Sequence, residues 1–263
     1  MRKVLSMLLV AVLVITSAVT LSSCNTVNDE SDFEIYEMAG IVGITKYVGS
    51  SKNVVIPEKI KGFEIDMIDN AAFENQPIES VAIPNCINSI NDRAFAGCTE
   101  LKEVNLGDVV EIRDEAFKAC TALEEIEIPQ QLTSIYDRAF EGCTSLKSIS
   151  IPSQTAIGEA AFLGCTSLKK VEYEAGRDTI VGCLAFYELD GLEEIIIPAG
   201  VTKIVDTVCN KCPNVKITFL GDAPEVKRPC FGKDMKDLKI YYKKGTKGWD
   251  TTDLAKWYTL VEY

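Results

Sequence analysis

Apolar positions return along most of the chain with one long period. An Ala-Phe dipeptide recurs with its phenylalanine at Phe73, Phe95, Phe117, Phe140, Phe162 and Phe186, in steps of 22, 22, 23, 22 and 24 residues. Cys209 takes the phenylalanine's place 23 residues later, preceded by Val208. Five positions before each of these sits an aliphatic residue: Ile68, Ile90, Ile112, Ile135, Ile157, Val181 and Ile204. Three positions after most of them sits a cysteine, at Cys98, Cys120, Cys143, Cys165 and Cys212, with Gln76 and Leu189 as exceptions. Each unit closes on Leu-x-x-aliphatic-x-aliphatic, often followed by proline. The cleanest copies are Leu123, Ile126, Ile128, Pro129 and Leu146, Ile149, Ile151, Pro152.

The alternation at the end of each unit marks a short strand with one face inward. Proline ends it, because it has no N–H for a strand ladder. A second extended piece such as Leu132-Thr133-Ser134-Ile135 follows, and then a tight bend carrying Ala-Phe. A unit of 22 to 24 residues has no room for two strands and a long helix. Each unit is therefore one coil of a solenoid, unable to bury its apolar face alone. Stacked at the strand spacing of ~4.8 Å, about seven coils make a spine on the order of 30 Å long, with the phenylalanines and aliphatics as core ladders.

The start of the chain reads differently. Met1, Arg2 and Lys3 precede an apolar run from Val4 to Ala18, too short and too interrupted for a stable membrane span. It ends in Leu21-Ser22-Ser23-Cys24, which resembles a bacterial lipobox. That resemblance implies a signal peptide at residues 1–23 and lipidation of Cys24. More than one acyl chain on that residue gives durable anchoring. The polar, acidic residues 24–32 read as a tether.

The repeat resembles the BspA-like leucine-rich repeat, the type associated with Treponema pallidum surface proteins. The resemblance extends from an N-terminal hairpin cap at residues 33–53, through a solenoid at 54–220, to a C-terminal cap at 221–263. It implies a mainly β, right-handed solenoid displayed on a bacterial cell envelope, binding proteins or cell surfaces, and no catalytic residues. Caps are also a physical expectation, since open solenoid ends would present raw strand edges. Two departures fall late in the array. Tyr173-Glu174-Ala175 replaces the aliphatic-proline ending and Cys209 replaces phenylalanine, so a looser coil is expected there.

Composition narrows the chemistry. The chain has no histidine, which excludes Ser-His-Asp and Cys-His centres, histidine-based zinc helices and imidazole acid–base work. Thirty-nine acids against 27 bases give a net charge of -12, so nucleic acid is not an expected partner. Ten cysteines suggest disulfides in an exported protein. The repeat accounts for five of them as small inward fillers, and parallel in-register side chains rarely reach disulfide torsions. Cys209 and Cys212 fall on repeat positions rather than in a redox or zinc context. Cys86, Cys183 and Cys230 lie off the ladder. No metal or cofactor is expected.

The acids occupy outward repeat positions, so a two-carboxylate hydrolase is a distant third reading. The first reading is a non-catalytic binding or adhesion protein contacting a macromolecular ligand. Its face comprises Glu103, Asn105, Glu125, Glu127, Ser148, Ser150, Lys170, Glu172 and Glu194. That face is acidic with one lysine and suits a basic protein patch, a host-derived surface among the candidates, better than an anionic glycan. The alternative is an envelope scaffold or spacer without a dedicated ligand. The aromatics Tyr241, Tyr242, Trp249, Trp257, Tyr258 and Tyr263 are expected to plug the solenoid end rather than to grip a partner.

Overall fold

The structure, a computed structural model, describes residues 26–176, 179–181, 184–232, 235 and 237–263. The leader at 1–23, Cys24 and Cys183 lie outside the described residues. The chain winds into a β-solenoid of about ten turns. Among the described residues, helix is confined to two single 3-10 turns, Glu30–Asp32 and Asp253–Lys256.

Two strand ladders and one laddered bend run along the axis. On the back, Met67–Ile68, Ser89–Ile90, Glu111–Ile112, Ser134–Ile135 and Ala156–Ile157 pair in parallel, so Ile68, Ile90, Ile112, Ile135 and Ile157 share one row. A further sheet continues the back with Thr179–Val181, Lys203–Val205 and Glu225–Val226. Here the sequence reading needs correction. Ile180, not Val181, pairs with Ile204 and is buried. The extra residue of the 24-residue step therefore lies between strand and bend, not before the strand.

On the front, Asn53–Val55, Ser80–Ala82 and Glu103–Asn105 form one sheet. Ser148–Ile151, Lys170–Tyr173, Glu194–Ile197, Lys216–Phe219, Lys239–Tyr242 and Thr259–Glu262 form another. Inward residues such as Val81, Ile149, Val171, Ile195, Ile217 and Ile240 are buried. Tyr173 pairs with Ile151 and is itself buried, so that departure from the repeat leaves its strand intact.

The bend is laddered too. N–H groups of Arg93, Phe95 and Gly97 donate to the carbonyls of Asp114, Ala116 and Lys118 in the next coil, and the following bends repeat the pattern. Alternate N–H groups can all point along the axis because left-handed residues flank each phenylalanine, for example Glu115 and Ala119 around Phe117. Glycine suits the second position, and Gly97, Gly142 and Gly164 occupy it.

The seven coils counted from the Ala-Phe repeat are extended at both ends. Ile41–Tyr47 pairs in parallel with Met67–Ile68, and Tyr47 stacks on Phe73 at 5.1 Å. Phe33–Met38 then closes that end as an antiparallel hairpin. Of the stretch read as a tether, Asn28 and Glu30–Asp32 pack on the first coil. Asn28 exchanges two hydrogen bonds with Val55, and the Val48 N–H donates to the Asp32 carbonyl. At the other end Val226 and Phe231 add back and bend positions, while Lys239–Tyr242 and Thr259–Glu262 add front strands. Trp249 and Tyr258 are buried there, the Tyr258 hydroxyl accepting from the Phe231 N–H at 2.9 Å. Tyr242 stacks on Trp249, but Tyr263 is exposed.

The core is a column of rings. Phe95, Phe117, Phe140, Phe162 and Phe186 stand with centroids 5.2–5.3 Å apart and near-parallel planes. Each is fully buried. Beside it runs the thiol ladder. Cys98, Cys120, Cys143 and Cys165 donate from Sγ to the carbonyls of Phe73, Phe95, Phe117 and Phe140, at 3.0, 3.2, 3.2 and 3.1 Å. Where cysteine is missing, the Gln76 amide donates to the Tyr47 carbonyl instead. Cys209 pairs with Phe186, and Cys212 donates to the Phe186 carbonyl, so both keep repeat roles.

Phe140→Ala opens a hole between Phe117 and Phe162 and should cost about 3–5 kcal/mol by urea unfolding. A loss below about 1 kcal/mol would show that this ring is not central. Burial pushes the Cys98 thiol up to about 12 and raises Cys120 and Cys143 well above the ordinary value. The folded state therefore holds these protons more tightly than the unfolded chain. The associated stability is complete below about pH 8.5 and falls as pH rises beyond it. The same thiols should resist native alkylation and all react after denaturation without reductant. Labels missing until reductant is added would reveal disulfides instead.

Candidate binding face

The outward side of the front sheets carries two rows, set by strand register. One reads Ser80, Glu103, then Ser148, Lys170, Glu194, Lys216, Lys239 and Thr259. The other reads Ala82, Asn105, then Ser150, Glu172, Ile196, Thr218, Tyr241 and Val261. Glu125 and Glu127 belong between the two sheets in sequence order. Yet residues 124–128 join neither sheet, although Leu123 to Pro129 is among the most regular copies of the repeat.

The break coincides with a like-charge position. In a parallel in-register stack, Glu125 would stand directly beside Glu103, and like charges opposite each other destabilise a strand pair. The backbone there yields while the side chains beneath stay inward. Ile126 and Ile128 remain buried at 8% and 6% exposure, against 3% and 0% for Ile149 and Ile151 on the next coil, and Val104 on the preceding coil is itself only part-buried. The coil keeps its place but packs less tightly on its front side.

The predicted face thus splits into three parts. Glu103, Glu125 and Glu127 are exposed and form no ion pair within 4 Å among the described residues, although Lys147, paired with Glu124, also attracts Glu125. Asn105 accepts from the Gly107 N–H and so shapes a turn. Ser148 is exposed, and Ser150 donates to Glu174, which also accepts from Gln130. From there the charges are paired. Lys170 bridges Glu172 at 2.8 Å, and Glu194 accepts from Thr218 and lies 3.4 Å from Lys216.

Sequence reasoning stopped the face at Glu194, but the sheet carries it through Lys216, Lys239 and Tyr241. Lys216 lies over the Tyr241 ring at 4.9 Å. These residues help to line an open groove of about 650 Å³. The extra strands lack the Ala-Phe signature, so repeat counting misses them. The alternation Lys239-Ile240-Tyr241 was the available signal. The bend edge is charge-paired instead: Glu74, Arg93, Glu115, Lys118 and Glu141 form a chain of alternating sign across successive coils. Such exposed pairs contribute little each, about 0–1 kcal/mol.

If like charge opens the sheet, Glu125→Thr should restore ladder pairing. It should stabilise the protein by about 0.2–1 kcal/mol and slow amide exchange at residues 125–128. The gain should shrink in high salt. Unchanged exchange would remove charge as the cause.

The family model described as a BspA-type leucine-rich repeat region matches residues 66–180 and 110–239, in six copies. A leucine-rich repeat protein of Treponema pallidum is similar in structure, with a TM-score of 0.61 and 28% identity over 65% of this chain and 81% of that one. A leucine-rich repeat protein of Bacteroides ovatus shares the fold at a TM-score of 0.50 and 22% identity, over 90% of this chain and 77% of the other. No curated protein matches the sequence significantly.

Proposed function

We propose, for a chain that belongs to the BspA-type leucine-rich repeat family, that it is a lipid-anchored surface protein whose mid-face acids hold a basic patch on a partner protein. Family and fold are those of a repeat scaffold, typically non-catalytic and typically extracellular or surface-associated. The lipobox-like Leu21-Ser22-Ser23-Cys24 supports an anchor on Cys24.

One observation carries the binding reading. The unpaired Glu103, Glu125 and Glu127 sit where the front sheet opens, while the other predicted face charges are neutralised by neighbours. A local rule of sheet stability is broken there without a packing gain, and such breaks concentrate at functional sites. Outward acids focus a negative field that speeds and orients docking of a basic surface, with strong salt dependence.

The test is capture of host-extract proteins on the mature protein and on a Glu103→Lys, Glu125→Lys, Glu127→Lys variant. The specifically retained protein should bind the variant on the order of tenfold or more weakly, and wild-type binding should fall with salt. Equal retention by both forms would reject this face. A deletion strain with unchanged adhesion but a weakened envelope would favour a scaffold instead.

A further inference from the structure

We infer that the N-terminal end of the solenoid docks on the lipid bilayer itself, seating two hairpin tips in the headgroup layer. This rests on the Cys24 anchor proposed above and deepens it from a tether to an oriented contact.

The exposed apolar side chains are unevenly placed. Val27, Met38, Ile41, Val48 and Phe63 all lie in the first coil and its cap, and among the described residues the remaining large ones are Leu220 and Tyr263. Met38 and Ile41 pair across the tip of the first hairpin, at 69% and 47% exposure. Phe63 flanks the tip of a second, Lys59–Ile60 with Phe63–Glu64, at 46%. The turn glycines Gly40 and Gly62 face open space, where an added Cβ would meet nothing within 4 Å. Both tips leave the same corner. Val42, next to Ile41, exchanges two hydrogen bonds with Asp66 (2.7 and 2.9 Å), close behind Phe63–Glu64.

Chain length brings this corner to the membrane. Asn28 is fixed on Val55, and Glu30 accepts from the Lys61 N–H at the second tip. Only four residue steps separate Asn28 from Cys24, a reach of about 14 Å when fully extended. A lipidated Cys24 therefore holds this end, and not the front face, against the headgroups. Glu37, Glu58 and Glu64 flank the tips in sequence alongside Lys59 and Lys61, and Glu30 sits on the second tip. The contact must then be apolar rather than electrostatic, and a neutral bilayer should serve as well as an anionic one.

The test uses the lipidated protein reconstituted in phosphatidylcholine vesicles, with Phe63→Trp or Met38→Trp as the reporter. The native Trp249 and Trp257 lie at the opposite end and serve as the internal control. The added tryptophan should shift to the blue and lose its signal to lipids brominated near the headgroup, while the native signal persists. Replacing a third of the phosphatidylcholine with phosphatidylglycerol should not strengthen the effect. Protein that floats with vesicles yet leaves the added tryptophan unquenched would overturn the docking but keep the anchor. Protein that does not float would remove both. A blue shift that grows with protein concentration in detergent, without vesicles, would show a second copy covering the tips and would also overturn it.

Discussion

Parallel stacking in register imposes one condition on the residues of the coils: each has its own counterpart as axial neighbour, one strand spacing away. Residues that gain from meeting their own kind make the stack cohere. Phenylalanine rings do so as a continuous column from Phe73 to Phe186, and the isoleucines at the back do so as a row. Residues that lose by it must alternate in sign, as in the chain from Glu74 to Glu141. Where like charges meet, the pair is weakened. Alternation fails at Lys216 and Lys239, where the ladder holds, and at Glu103 and Glu125, where the front sheet is in two pieces.

The thiols follow the same condition from the hydrogen-bond side. The bend carbonyls from Phe73 to Phe162 accept the N–H three residues on, as Phe95 does from Cys98, and each has a second lone pair facing the next coil. A cysteine there is small enough for the interior and supplies a weak donor to it. Gln76 does the same work with an amide, and Leu189 supplies no donor. The position therefore selects for a compact donor, which explains thiols without disulfides more directly than compartment does.

Repetition made the middle of the fold legible, since Ala-Phe spacing alone gives coil length, inward rows and the bend. What it missed has physical reasons. The outermost coils differ because they face solvent on one side. Tyr47 and Phe231 thus continue the bend without the dipeptide, and Asn28 substitutes a side chain for a strand edge. The shift from Val181 to Ile180 arises because an inserted residue can enter before or after a strand, and spacing to the next phenylalanine does not say which. The break at residues 124–128 was hidden for a different reason. Its hydrophobic pattern is regular, and the like-charge position at Glu125 exists only once Glu103 of the adjacent coil is set beside it. Candidate residues were legible as a face, but which of them remain unpaired depends on Lys170, Thr218 and Lys216, whose partners only the register supplies.

A coil can lose its front strand because its other contacts do not depend on it. Phe117 still stacks between Phe95 and Phe140, and Cys120 still donates to the Phe95 carbonyl. Glu111–Ile112 still pairs with both neighbours, and the Glu115, Phe117 and Ala119 N–H groups still reach the next bend. With the core side held on four counts, the loss of the front strand stays local to the front. A solenoid so built tolerates a charged, unpaired segment in its middle, where a single-sheet protein of similar size would expose a new edge. The redundancy that dilutes sequence signals in a repeat protein is thus what allows one rung to differ.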